Sequence, residues 1–157
     1  MNPITAIHAP PGTNIQPVDH LVLAHDERRV RRKVLRAKNG TELLLDLPQT
    51  TTLEPGQLLE AAPGQYVEVV AAEELLYEIR AKDAAHLVPL AWHIGNRHTS
   101  AQLEEGRILI KRDHVLKTML EGLGATVTNV SEPFFAEHGA YHSHSHGDGG
   151  HALLARR

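Results

Sequence analysis

The sequence predicts an α+β protein in which an all-β N-terminal domain precedes a second domain that contains two helices. Short apolar runs separated by turn residues fill the first half of the 157-residue chain, and two amphipathic helical segments occur only in the second half. The final residues are small, polar and rich in histidine, which is typical of a flexible segment. We therefore divide the chain into residues 1–75, residues 76–136 and a tail of residues 137–157.

The first domain is predicted to be a small barrel or sandwich. Its predicted strands cover residues 21–24, 31–37, 42–47, 58–61 and 66–71. Asn39-Gly40 lies between the second and third of them and favours a type I′ hairpin turn, because both central residues of that turn need a positive φ. Pro-Gly pairs at residues 55–56 and 63–64 separate the later strands.

The second domain has the strand and helix order of a ferredoxin-like fold. Its predicted strands cover residues 76–82, 101–103, 107–111 and 125–130. Asp83 suits the N-cap of one helix, which would end at Gly95, and Asp113 suits the N-cap of another, which would end at Gly124. Pro89 lies inside the first helix, where it should kink the helix or cost about 3 kcal/mol. The order βαββαβ packs both helices on one face of a four-stranded sheet.

Composition excludes several classes of function. Cysteine is absent, so imidazole and carboxylate are the strong metal ligands that remain. The formal net charge of -3 gives no bulk attraction to nucleic acid or to an anionic membrane. No segment approaches the roughly 18 apolar residues of a membrane span or has the pattern of a signal peptide. We expect a cytoplasmic protein with neither nucleic acid nor membrane as a partner.

Histidine is the one residue type in clear excess, with 12 copies in the chain. The last twenty residues contain five of them, namely His138, His142, His144, His146 and His151. Alternation with serine would direct three of these imidazoles to one side of an extended chain, and a flexible chain could wrap them around one ion. The alternative is a purification tag or a merely soluble tail, but tags are normally consecutive histidine runs. The pattern favours a metal-binding tail.

A second group of histidines surrounds the end of the first predicted helix. His93 lies in the last helical turn, where a histidine often only satisfies the final carbonyl groups. His98 lies on the loop beyond Gly95, and His114 follows the second N-cap. One imidazole is a poor metal site, but a two-fold axis would bring the same residue from a second chain alongside. His98 is the strongest candidate for such a shared ligand.

Four segments together resemble the UreE family. They are WHIGNRH at residues 92–98, RDHVLKTMLEGLGATVT at 112–128, the run from PF at 133–134 to GAYHSHSHG, and DLP at 46–48. The resemblance implies a nickel metallochaperone that delivers Ni(II) to apo-urease during urease maturation, and not an enzyme. It also implies an N-terminal domain that binds partners or peptides and a homodimer formed by the metal-binding domain.

The resemblance also assigns roles to particular residues and partners. His98 would be the central ligand, paired with its copy in the second chain, and the tail residues His142, His144 and His146 would complete the shell. In some family members histidines at the positions of His93 and His114 bind further metal. The implied partners are the urease accessory GTPase and the activation complex of apo-urease. By the Irving–Williams order, Cu(II) and Zn(II) should compete with Ni(II) in vitro.

Two questions stay open at the level of the sequence. The basic run that comprises Arg28, Arg29, Arg31, Arg32, Lys33 and Arg36 is either a solvated strand face or a docking surface for an acidic protein. A zinc or nickel sequestration protein and a metal-dependent hydrolase are alternatives to a metallochaperone. The hydrolase is the weaker alternative, because no HExxH pair, recognisable nucleophile turn or glycine-rich phosphate loop occurs.

Overall fold

The computed structural model describes residues 2–7 and 14–139, and these residues form a two-domain, mostly-β protein. The strands are β1 (Asp19–Leu23), β2 (Arg29–Arg36), β3 (Glu42–Thr52), β4 (Leu58–Ala62), β5 (Gln65–Ala71), β6 (Glu73–Arg80), β7 (Ala101–Glu104), β8 (Arg107–Lys111) and β9 (Thr126–Pro133). The α-helices are α1 (Ala84–Asn96) and α2 (His114–Gly122), and a single 3-10 turn covers Asp26–Arg28. None of the helices in these residues is long and apolar enough to cross a membrane.

The N-terminal domain consists of two small sheets around a shared apolar core. One sheet has the order β1-β5-β4 and the other pairs β2 with β3. Leucine and valine side chains from both sheets, including Leu21, Leu45, Leu59 and Val67, are almost completely buried between them. Within the described residues the sheets do not close into a barrel, so the sandwich is the form that these strands adopt.

The predicted hairpin between β2 and β3 is confirmed, but its turn differs from the predicted type. Gly40 has a φ of +96°, whereas Asn39 does not have a positive φ. The Ala37 N–H donates to the Thr41 carbonyl at 2.8 Å, which closes a three-residue loop rather than a two-residue type I′ turn. The buried Asp19 carboxylate explains the longer loop, because it accepts hydrogen bonds from the backbone N–H groups of Asn39 and Thr41.

The C-terminal domain has the predicted order of elements, β6-α1-β7-β8-α2-β9. Its four strands form one sheet in the order β7-β8-β6-β9, and every neighbouring pair is antiparallel. Both helices pack on the same face through buried residues that include Ile79, Leu90, Ile94, Ile108 and Leu120. β6 begins at Glu73, three residues before the predicted start, because Glu73 already pairs with Pro133 of β9.

Helix α1 begins as predicted and ends later than predicted. Asp83 is its N-cap and accepts a hydrogen bond from the His86 N–H at 2.7 Å. The helix continues past Pro89, and both Pro89 and Ala85, whose carbonyl loses its helical partner, are exposed to solvent. Gly95 does not end the helix, which runs on to Asn96.

Side chains from the 3-10 turn join the two domains. The guanidinium of Arg28 is only 2% exposed and donates to the carbonyl of Phe134, which follows β9, and to that of Leu23. Asp26 forms an ion pair with Lys111 of β8. Arg28 therefore does not belong to a solvated strand face, as the sequence suggested, because it bridges the domains. Burial lowers the pKa of His25, the residue before this turn, and the charge of Arg28 lowers it further.

Candidate metal centre

His98 lies on the turn that ends α1, in a backbone conformation that is unusual for a histidine. Its φ is +56°, and in the described residues it is the one non-glycine residue with a positive φ. Its backbone N–H donates to the Gly95 carbonyl at 3.0 Å, which terminates the helix. The side chain is exposed. The fold therefore presents this imidazole at the surface on a short, defined turn.

The other two predicted histidines of this domain lie on the helices themselves. His93 is half-buried in the last turn of α1, and its ring lies edge-on to the Trp92 indole, with 5.1 Å between the ring centroids. His114 is the first residue of α2 and is exposed. Asp113, the N-cap before it, accepts the Leu116 N–H at 3.0 Å and fixes the start of the helix.

The end of α1 lies beside α2. The two helices run antiparallel, because each returns from one of two antiparallel strands, β6 and β8. The Arg97 Nε lies 2.9 Å from the Met119 sulfur and links the two segments directly. His98 and His114 are thus at the same end of the helical layer.

Large apolar side chains on the outside of the helices are exposed close to these histidines. On α1, Val88 is 69% exposed and Trp92 is 61% exposed, and on α2 Val115 is 67% exposed. Val88 and Trp92 are four residues apart and share a face of α1 that is different from the face of the buried Leu90 and Ile94. This second apolar face was not predicted from the sequence, although the spacing of Val88 and Trp92 was a sufficient signal for it.

Within the described part of a single chain, the predicted ligands His93, His98 and His114 do not form one site. Among residues 2–7 and 14–139, no three His, Asp or Glu side chains are arranged so that they could hold a metal ion. His93, His98 and His114 are therefore separate positions in the isolated chain. The tail residues His142, His144 and His146 lie outside the described residues.

Acidic side chains of β3 lie opposite some of the basic side chains of β2. Arg32 lies opposite Asp46 in the strand register, with 3.8 Å between Nε and the carboxylate oxygen, and Arg36 lies opposite Glu42. Cross-strand pairs of opposite charge are common on solvated sheet faces. This arrangement favours the solvated strand face over a bare basic patch.

These features define a two-domain, mostly-β protein in which exposed histidines and exposed apolar side chains lie on the helices of the C-terminal domain. The imidazole of His98 and the apolar side chains of Trp92 and Val115 are all exposed in this domain.

Comparison with known proteins identifies the family. Residues 2–72 match the family model described as the N-terminal domain of the UreE urease accessory protein, and residues 74–154 match that of its C-terminal domain. A urease accessory protein UreE from Rhizobium rhizogenes is 53% identical over 92% of this chain and 85% of its own length. Another from Agrobacterium fabrum is 51% identical over 95% of this chain and 90% of its own length.

The chain belongs to the UreE family of urease accessory proteins. It therefore has a chaperone-type role in urease maturation and is not itself an enzyme. The resemblance stated from the four sequence segments is confirmed. A metal-dependent hydrolase, one of the alternatives from the sequence, is thereby excluded.

Proposed function

We propose that this chain is a nickel metallochaperone that delivers Ni(II) to apo-urease. The observation that carries the proposal is the exposed imidazole of His98 on a defined turn, close to an uncovered apolar surface. A neutral imidazole is a good ligand for Ni(II), Cu(II) and Zn(II), and the Irving–Williams order makes the latter two competitors in vitro. One such ligand per chain binds weakly, so a second must come from elsewhere.

The second imidazole comes from a second copy of the chain. A two-fold interface doubles every ligand that it contains, and apolar side chains as exposed as Trp92 and Val115 are suited to an interface of this kind. In the homodimer the two His98 side chains face each other across the axis. The remaining coordination positions are open to water, to the tail histidines His142, His144 and His146, or to a ligand of the receiving protein.

An open site of this type suits a carrier better than a closed one. A structural zinc site binds with about 10–16 kcal/mol and does not release its ion readily. Two imidazoles bind less tightly, and additional ligands can be added or withdrawn without unfolding the domain. His93 and His114, which lie at the same end of the helical layer as His98, are auxiliary ligands in this proposal.

The proposal includes the roles of the domains. The C-terminal domain is ferredoxin-like, as its order of elements and its sheet order β7-β8-β6-β9 support, and it carries the metal and the dimer interface. The N-terminal domain binds partner proteins, and residues 137–157 act as a metal-loading tail. The partners are the urease accessory GTPase and the apo-urease activation complex, and the site of action is the cytoplasm.

Equilibrium dialysis with Ni(II) tests the metal site. The proteins compared are the wild type, His98→Ala, a chain that ends after Tyr141, and His20→Ala as a control, because His20 lies on β1 in the other domain. We expect His98→Ala to lose the tightest site and the shortened chain to retain it while binding fewer ions in total. A tight site that persists unchanged in His98→Ala would contradict the proposal.

A transfer assay separates a metallochaperone from a sequestration protein. Nickel-loaded protein is incubated with apo-urease and its accessory proteins in the presence of a chelator that removes free Ni(II). A metallochaperone raises urease activity under these conditions, and the His98→Ala variant raises it much less. A sequestration protein would hold or lose its nickel without activating urease.

A further inference from the structure

A pocket of about 270 Å³ lies between the two domains. The residues of the N-terminal domain in its wall include His25, Asp26 and Arg29, and those of the C-terminal domain include Ser100, Glu137 and His138. Its lining is mainly polar, and two of its side chains are imidazoles from different domains.

The backbone that carries each of these two imidazoles is held in place. The His25 N–H donates to a Glu74 carboxylate oxygen at 3.0 Å, and the His25 ring lies edge-on to Phe134 with 5.3 Å between centroids. On the other wall, the Glu137 N–H donates to the Ala101 carbonyl at 2.8 Å, which ties the segment before His138 to β7. The two imidazoles are thus presented from fixed points.

The imidazole nitrogens of His25 and His138 are the strongest candidate ligands for a transition-metal ion in this pocket. His138 is exposed, and the contact described for the His25 ring is the edge-on one with Phe134. Asp26 is already paired with Lys111, and no three acidic or histidine side chains of the described residues form a ready metal shell. The pocket therefore offers two imidazoles, the Glu137 carboxylate and room for water molecules, a donor set that suits a borderline divalent cation.

We propose that His25 and His138 form a second, weaker site for a divalent transition-metal ion at the domain junction. The site rests on the proposed function, and its position suits an ion that moves between the tail and His98. Ser100 of the pocket wall is two residues from His98, a chain length that spans at most about 7 Å. His138 is four residues before the first histidine of the repeat at His142.

The proposal gives the N-terminal domain a direct part in metal handling. His25 precedes the 3-10 turn that contains Asp26 and Arg28, the residues that join the domains. An ion shared by His25 and His138 would add a further link across the same junction. Metal binding at this site should therefore stabilise the contact between the domains.

The test uses the full-length chain with the other candidate ligands removed. The background variant carries alanine in place of His93, His98, His114, His142, His144, His146 and His151. Ni(II) binding is measured by titration calorimetry, and Cu(II) is used as a spectroscopic probe whose pulsed EPR spectrum counts coordinated imidazoles. We expect one ion per chain, held by two imidazoles.

Three further substitutions in that background decide the outcome. His138→Ala changes an exposed side chain and so should not affect folding, and His25→Ala changes the opposite wall. Each is expected to weaken Ni(II) binding at least tenfold and to leave one coordinated imidazole in the Cu(II) spectrum, whereas the control His20→Ala should change neither. A background variant that binds no ion, or binding that survives His138→Ala unchanged, would overturn the site. The His98 site, measured separately in the wild type, would be unaffected by either result.

Discussion

His98 occupies in α1 the position that Gly124 occupies in α2. Each residue follows the C-cap of its helix, and each has a positive φ, +56° for His98 and +89° for Gly124. Glycine adopts this conformation without steric cost, whereas a residue with a Cβ pays roughly 1–2 kcal/mol. The fold thus accepts a histidine at a position that helix termination alone would give to glycine, as expected if its imidazole is needed there.

Substitution of His98 should therefore separate stability from metal binding. His98→Gly removes the steric cost of the left-handed conformation, which stabilises the folded state, but it also raises the entropy of the unfolded chain, which destabilises the folded state. Because the two effects oppose each other, we expect the free energy of unfolding to stay within about 1 kcal/mol of wild type. His98→Val introduces a β-branched side chain at positive φ and should lose roughly 1–3 kcal/mol. Urea denaturation of the metal-free proteins measures both changes.

The two His98 variants have a matched control at the end of α2. Gly124→Val should destabilise the domain as His98→Val does, without any effect on the Ni(II) affinity per folded molecule. If His98→Val and His98→Gly were equally stable, the left-handed conformation of residue 98 would not exist in solution.

Much of the fold could be predicted from the sequence because its signals are local. Asp83 and Asp113 cap the helices as expected, and Gly124 ends α2. The strand positions follow from alternation and turn residues, which are encoded within a few neighbouring residues. The order of elements in the second domain was therefore predictable from Asp83 onward.

The features that could not be predicted depend on residues far apart in the chain. The parallel pairing of β1 with β5 joins Asp19 to Val67, and no local pattern encodes it. Arg28 had the sequence context of an exposed basic run, yet its guanidinium is buried at the domain junction, where it donates a hydrogen bond to the Phe134 carbonyl. For the candidate site, His98 was found by its motif, but its left-handed backbone was not, because Gly95 was the expected stop.

Removal of the Arg28 side chain should destabilise the protein and loosen the domain junction. Arg28→Ala leaves the Phe134 carbonyl without its donor and removes one of the two donors of the Leu23 carbonyl, which keeps the Ala72 N–H at 2.9 Å. It also uncovers the face of Phe135, over which the guanidinium lies at 4.9 Å from the ring centroid. Hydrogen bonds from a charged donor contribute about 1.5–3 kcal/mol each, so we expect a loss of roughly 3 kcal/mol or more. Chemical denaturation measures the loss, and amide hydrogen exchange at residues 134–136 reports on the junction.

Arg31→Ala is the control for this change. Arg31 belongs to the same basic run but is exposed on β2, and substitutions at such positions usually change stability by less than about 0.5 kcal/mol. An Arg28→Ala protein as stable as Arg31→Ala would mean that the buried guanidinium does not hold the two domains together.

The Asp19 carboxylate should make stability depend on pH in the acid range. Burial alone would raise the pKa of Asp19, but hydrogen bonds from Asn39, Thr41 and His20 outweigh it and lower the pKa from 3.8 to about 2. A carboxyl with a lowered folded-state pKa contributes stability above its unfolded value and loses it as the pH falls. This contribution is therefore present above about pH 4 and lost between pH 4 and pH 2.

Urea denaturation of Asp19→Asn at a series of pH values tests this assignment. The variant should be less stable than wild type at neutral pH, and the difference should shrink as the pH falls towards 2. Asp46→Asn, at a half-exposed carboxylate on β3, serves as the control and should keep the wild-type pH profile. A constant difference between wild type and Asp19→Asn from neutral pH down to pH 2 would show that another group is responsible.

A charge on the exposed face of α1 should prevent dimer formation. Trp92→Asp places a carboxylate where the proposed interface needs an apolar side chain, and two-fold symmetry brings in a second copy of that charge. The isolated domain should tolerate the change, because Trp92 is 61% exposed and contributes little to the core. Sedimentation velocity should give a dimer for wild type and a monomer for the variant, with loss of the shared Ni(II) site.

Val34→Asp provides the matched comparison, since Val34 is 55% exposed but lies on β2 of the N-terminal domain. This variant should remain dimeric and retain the nickel affinity of wild type. If both substitutions left the dimer intact, the interface would lie elsewhere and His98 could not meet its copy through the helical face. If wild type itself sedimented as a monomer in the presence of Ni(II), the two-imidazole site would be ruled out, because a single His98 cannot supply both ligands.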